Sequence, residues 1–171
     1  MQPDPRSRRA YAPTDSDVDL HLPDQRAETR PGEPALLAVI GAGGVVGSEA
    51  RYALSQGLPH QGGSFPWSTL LTNVIGCFLL GILMVAVVEV WAPHRFARPF
   101  VGVGVLGGFT TFSTFGLDTI ELLRHHRPGA AVGYVTASVV LCLLAVTAGT
   151  FVLRGLVSAS QGAREAIEAG R

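Results

Sequence analysis

Charge is missing from long stretches of this chain. No Asp, Glu, Lys or Arg occurs from Phe65 to Val88, from Pro99 to Leu117, or from Pro128 to Leu153, and another uncharged run extends from Ala35 to Ser48. The longer runs reach or approach the roughly 20 apolar residues that a bilayer crossing takes. They predict an all-α, multi-pass membrane protein with four spans, at about 35–54, 67–90, 100–123 and 130–156. Trp67, Trp91 and Tyr52 fall near span ends, where an interfacial aromatic belt places such rings. A soluble bundle of buried core helices does not account for several runs of this length in 171 residues.

Three regions follow. Residues 1–34 hold six prolines, scattered Asp and Arg, and few large apolar side chains, a composition that cannot bury enough surface to fold alone. They are expected as a disordered tail, 35–156 as the transmembrane domain, and 157–171 as a short polar C-terminal tail. The tail lacks the apolar stretch of a cleavable signal, so the first span is expected to act as its own insertion signal. Four short spans leave no room for a soluble catalytic domain, and the absence of lysine removes the Walker phosphate loop and the pyridoxal Schiff base. The chain is expected to be no enzyme. A net charge of zero gives no sign of a nucleic-acid partner. Cys77 and Cys142 lie mid-span and read as small packing residues, too few for a disulfide framework.

The third span contains Gly107-Gly108-Phe109-Thr110-Thr111-Phe112-Ser113-Thr114-Phe115. Glycines and hydroxyls inside an apolar run predict a helix broken near its middle. Freed backbone groups are tolerated at bilayer depth only where protein or water covers them, so this break reads as an ion or solute path. Phe112 and Phe115 are one turn apart on one helix face, and the positive edge of an aromatic ring can meet an anion. Packing alone accounts for the two rings about equally well. Asn73, the strongly polar side chain inside the second span, offers an NH2 donor to an anion or an interhelical hydrogen bond. Tyr134, Ser138 and Cys142 recur every fourth residue and draw one stripe along the last span. No arginine sits mid-span, so an anion here meets dipoles and no full charge.

The first span opens with Gly41-Ala42-Gly43-Gly44-Val45-Val46-Gly47, which looks like a dinucleotide loop. Strict spacing needs glycine at Val46, and no acidic residue follows at ribose distance. Gly43 and Gly47 read instead as a G-x-x-x-G pair for close helix contact.

Taken together, these motifs resemble the Fluc/CrcB fluoride channels. Gly43 to Tyr52 is similar to the family's G-G-x-x-G-A-x-x-R-Y, Thr72 to Gly81 to its T-N-x-x-G-[SC]-F-x-x-G, and Gly107 to Phe115 is the most specific match. The resemblance implies passive, fluoride-selective export from the cytoplasm across the cell membrane, which lowers fluoride toxicity. It also implies a dimer of oppositely oriented four-span chains, with two pathways and a central structural sodium ion. On matching positions the backbone carbonyls of Gly107 and Thr110 hold the sodium. Asn73, Phe112, Ser113, Thr114, Phe115, Tyr134, Ser138 and Cys142 line the ion pathway. Cys142 departs from the serine common in relatives, and a thiol is a weaker donor. A β-branched residue at position 107 is expected to crowd the break.

Glu49 carries the alternative: small multidrug exporters are four-span dimers that exchange protons through a glutamate of the first span. Here Glu49 lies toward the helix end, with Arg51 and Arg124 as candidate partners. Basic residues cluster on the side of the termini (Arg26, Arg30, Arg95, Arg98, Arg154, Arg164), against Arg124, Arg127 and the nearby Arg51. The positive-inside rule then sets the termini in the cytoplasm. Such a bias favours a heterodimer with an oppositely oriented homologue, while a homodimer of chains inserting both ways stays open.

Overall fold

The computed structural model describes residues 33–60, 63–87 and 96–169, with 162–169 in backbone only. Most of the expected N-terminal tail, together with Arg26, Arg30, Trp91 and Arg95, lies outside the described residues. The described chain is helical: α1 (Glu33–Gly57), α2 (Trp67–Val85), α3 (Pro99–Leu106), α4 (Gly107–Phe109), α5 (Ser113–Arg124) and α6 (Pro128–Ala169). Three stretches are long and apolar enough to cross a bilayer, namely Trp67–Val85, Pro99–Arg124 and Pro128–Gln161. They coincide with the second, third and fourth expected spans. Helix α1 covers the expected first span, and its 25 residues rise about 37 Å. With Ser48, Glu49, Arg51 and many small residues, it does not match the apolarity of the other three.

The third span is broken as its composition predicts. Pro99–Leu106 winds as a π-helix, a local form frequent at functional sites, and passes into the single turn Gly107–Phe109. Thr110 is extended (φ −74°, ψ 157°), and α5 restarts the helix at Ser113. Helix α5 ends in a Schellman motif: the His126 N–H donates to the Leu123 carbonyl and the Arg127 N–H to the Leu122 carbonyl, both at 3.0 Å. His126 takes the left-handed position usually held by glycine (φ 55°). Pro128, which has no N–H to satisfy, then opens α6. Helix α6 runs for 42 residues, straight through the residues expected as a separate C-terminal tail. After Gly155 its Ala, Gln, Glu and Arg residues are mostly good helix formers.

Glycines set how closely the helices approach. A methyl group added at Gly81 of α2 would run into the Val146 carbonyl of α6, and one at Gly149 into the Phe78 carbonyl. Across α1 and the third span, Gly43 and Gly47 abut the backbone at Phe100 and Val105, while Gly104 and Gly108 abut Ile40 and Gly44. The G-x-x-x-G reading of Gly43 and Gly47 is borne out: backbones this close need small residues between them. The buried core gathers at one end, where Leu70, Leu122, Ala131 and Tyr134 pack with Phe65, Val74 and Phe115. Elsewhere large apolar side chains stand exposed, among them Val132, Val139, Val140, Leu143 and Leu144 along α6, a surface suited to lipid.

Candidate ion pathway

Asn73 holds the break open. Its Nδ2 donates to the Thr111 carbonyl and its Oδ1 accepts the Thr111 N–H, both at 2.9 Å. In a continuous helix the Thr111 N–H serves the Gly107 carbonyl, so the asparagine takes over that partner. One step on, the Thr114 N–H donates to Thr111 Oγ1 at 3.2 Å, where a continuous helix would send it to the Thr110 carbonyl. The carbonyls of Gly107 and Thr110 are thus both displaced from their helical donors, by two different side chains. Asn73 thus makes the interhelical hydrogen bond that the sequence allows. An amide NH2 carries a second donor hydrogen beyond the one given to Thr111.

Beside the break lies a cavity of about 460 Å³, whose walls include Asn73, Phe112, Phe115, Ser138 and Cys142 from the expected pathway and Gly107 and Thr110 from the expected sodium site. The rings of Phe112 and Phe115 are 5.7 Å apart, and Phe115 is 5.3 Å from Tyr134. Phe112 is 83% exposed in the single chain. Ser138 is the reverse case. Its Oγ is buried and has no hydrogen-bond partner among the described residues. An unsatisfied buried hydroxyl costs about 1–3 kcal/mol, so this wall of the cavity is primed for a polar occupant.

Three expected pathway residues stand off this cavity. Tyr134 is fully buried in the core cluster, and its hydroxyl donates to Asp118 Oδ2 at 3.5 Å. Ser113 is exposed, with its hydroxyl 3.3 Å from Thr111 Oγ1. Thr114 Oγ1 accepts from Thr111 Oγ1 at 3.0 Å and lines a second cavity of about 310 Å³ with Arg51, His60, Thr69 and Thr72. Thr111 lines both cavities.

Thr111 and Asp118 were not among the residues expected from sequence. Thr111 was legible as one more hydroxyl of the run, but nothing in the spacing marks it as the junction. Asp118 ties the third span to the loop before α2: His60 Nε2 stands 3.4 Å from its Oδ1, and His60 Nδ1 is 3.2 Å from Ser68 Oγ. Glu49 is exposed and lines neither cavity. Among the described residues it makes no ion pair with Arg51 or Arg124.

A protein-family model described as "CrcB-like protein, Camphor Resistance (CrcB)" matches residues 38–150. Curated relatives agree with it. The chain is 44% identical over 135 residues to "Fluoride-specific ion channel FluC 2" of Nocardia farcinica, covering 79% of this chain and 96% of the relative. It is 42% identical over 121 residues to "Fluoride-specific ion channel FluC 2" of Streptomyces avermitilis, covering 71% and 77%. Against "Fluoride-specific ion channel FluC" of Rhizobium meliloti the identity is 42% over 122 residues, covering 71% and 98%.

Proposed function

The chain belongs to the CrcB-like family, and from that premise we propose that it is a passive fluoride-selective channel of the cell membrane that lets fluoride leave the cytoplasm and so lowers its toxicity. The observation that carries the reading is the buried, unpartnered Ser138 hydroxyl on the wall of a cavity that also presents the Phe112 and Phe115 rings. Fluoride is small and strongly hydrated, so a path must replace water with donors. Ser138 supplies a hydroxyl, Asn73 its remaining amide hydrogen, the rings their positive edges. Each is a weak partner. Conduction needs binding strong enough to enter and weak enough to leave, and no arginine lines the larger cavity to trap the ion.

The proton-coupled exporter reading through Glu49 finds no support, since that carboxylate lies on an exposed face away from both cavities. Four spans in each of two oppositely oriented chains complete the proposal. Its support is the first span's glycine-sealed packing on the third, and the exposure of Phe112 and Gly107 in the single chain, where a second chain covers them. The basic bias toward the termini favours a partner that is a distinct homologue. The sodium assignment fits the residues present: Gly107 and Thr110 carry carbonyls whose helical donors go elsewhere. Carbonyl oxygen suits a hard cation, and two such groups from each chain give four ligands. The carbonyls of Gly107 and Thr110 would hold the sodium, which would neutralise their dipoles and join the chains; Asn73 and Thr111 hold the break in shape.

A cell lacking its own fluoride export tests the reading. Expression of this chain, with its homologue where pairing requires it, restores growth in fluoride. No rescue by a membrane-inserted protein contradicts it.

A further inference from the structure

We propose that Cys77 and Cys142 form a two-thiol site for a soft d10 metal ion, best matched by the mercuric ion, on the wall of the larger cavity. The site stands on geometry alone; its consequence, that an ion held there stops fluoride, rests on the pathway reading above. The chain has two cysteines, from helices distant in sequence. Helices α2 and α6 meet at backbone contact through Gly81 and Gly149. One turn earlier on each helix, the register that seats Gly81 on Val146 brings Cys77 opposite Cys142. Both thiols line the cavity, and both are unbridged and half-buried.

The ligand class follows from the donors. Soft thiolates select soft ions. Zinc takes four ligands in a tetrahedron, and among the described residues no group of three or more His, Cys, Asp or Glu could hold a metal. A two-coordinate d10 ion needs no more than the two sulfurs. Binding breaks both S–H bonds, forms two metal–sulfur bonds and releases two protons to the cavity: 2 RSH + Hg(II) gives (RS)2Hg + 2 H⁺, with no change of oxidation state. The product is neutral. A monovalent ion held by two thiolates leaves a net negative charge, which a mostly apolar cavity penalises.

The test titrates mercuric acetate into the purified full-length protein, following metal–thiolate ultraviolet absorption and bound metal per chain. Saturation at one ion per chain is expected. Cys77→Ser and Cys142→Ser should each weaken binding by about a hundredfold or more, because the second sulfur acts at high effective concentration. Both variants are checked for unchanged elution as the native assembly. Wild-type affinity in either variant, two ions per chain, or one ion bridging two chains overturns the site. The same preparations in vesicles separate the two claims. Loss of fluoride efflux on loading, reversed by a dithiol, supports the consequence. Undiminished efflux with one ion bound per chain overturns the pathway reading and leaves the metal site standing.

Discussion

Replacing Asn73 by alanine removes both hydrogen bonds that hold the broken turn, the Nδ2 bond to the Thr111 carbonyl and the Oδ1 bond from its N–H, each 2.9 Å and part-buried. Interhelical hydrogen bonds in membranes average about 0.6 kcal/mol, so the pair sets a floor of roughly 1.2 kcal/mol. Leaving the two backbone groups unsatisfied raises the loss toward about 1–3 kcal/mol each. The Thr111 N–H has one nearby refuge, the Gly107 carbonyl, and taking it rewinds the break. With one of the two groups re-satisfied, a loss of about 1.2 to 3 kcal/mol is roughly an eightfold to 150-fold shift away from the open geometry. Fluoride flux through Asn73→Ala in vesicles should therefore fall by about eightfold or more while the chain still inserts. Hydrogen exchange at the Thr111 amide reports the same event: protection changes there, and stays near its parent value in α6. Parental flux together with unchanged Thr111 exchange would refute the assignment of Asn73 as the group that maintains the break.

Other outcomes follow from the same geometry. Phe115→Ile keeps apolar bulk but removes a ring held 5.7 Å from Phe112 and 5.3 Å from Tyr134; flux should collapse with assembly intact, and parental flux in both Phe112→Ile and Phe115→Ile counts against an aromatic path. Gly81→Leu forces a side chain into the Val146 backbone; as an overpacking of two helices it should cost at least about 1–3 kcal/mol, seen as loss of folded protein on thermal gel filtration, whereas Gly133→Leu, in open space, should be tolerated. Gly107→Val should fold as a chain yet lose sodium-dependent pairing, measured by elution in sodium against a large organic cation; a sodium-dependent dimer in this variant contradicts the carbonyl site.

Much of the fold could be read from where charge is absent, because a bilayer permits few arrangements of uncharged residues. The broken third span was legible for the same reason: glycines and hydroxyls at Gly107 to Phe115 have no place in an unbroken apolar helix. Spacing told less about which way groups face. It could not say whether the Asn73 amide meets an ion or a backbone, and the structure commits it to Thr111. The four-residue stripe placed Tyr134 with Ser138 and Cys142, yet Tyr134 sits in the core above the cavity, because the stripe continues into the level where Leu70, Leu122 and Ala131 pack. Position 107 was expected to reject a β-branched residue through crowding of the break, but a Cβ there meets nothing within 4 Å in the chain. Nothing among the described residues of the single chain crowds position 107. The link from His60 to Asp118 joins residues distant in sequence, and no local pattern announces it.

Halide efflux from vesicles, read with a fluoride electrode and, in the chloride control, a chloride electrode, tests the central claim most directly. The purified channel, with its homologue where pairing requires it, is reconstituted in potassium fluoride, and efflux is started with a potassium ionophore at equal pH on both sides. The account predicts rapid emptying without ATP or a proton gradient, and negligible loss when chloride replaces fluoride. Efflux that appears only with an imposed proton gradient, or chloride leaving as fast as fluoride, contradicts it.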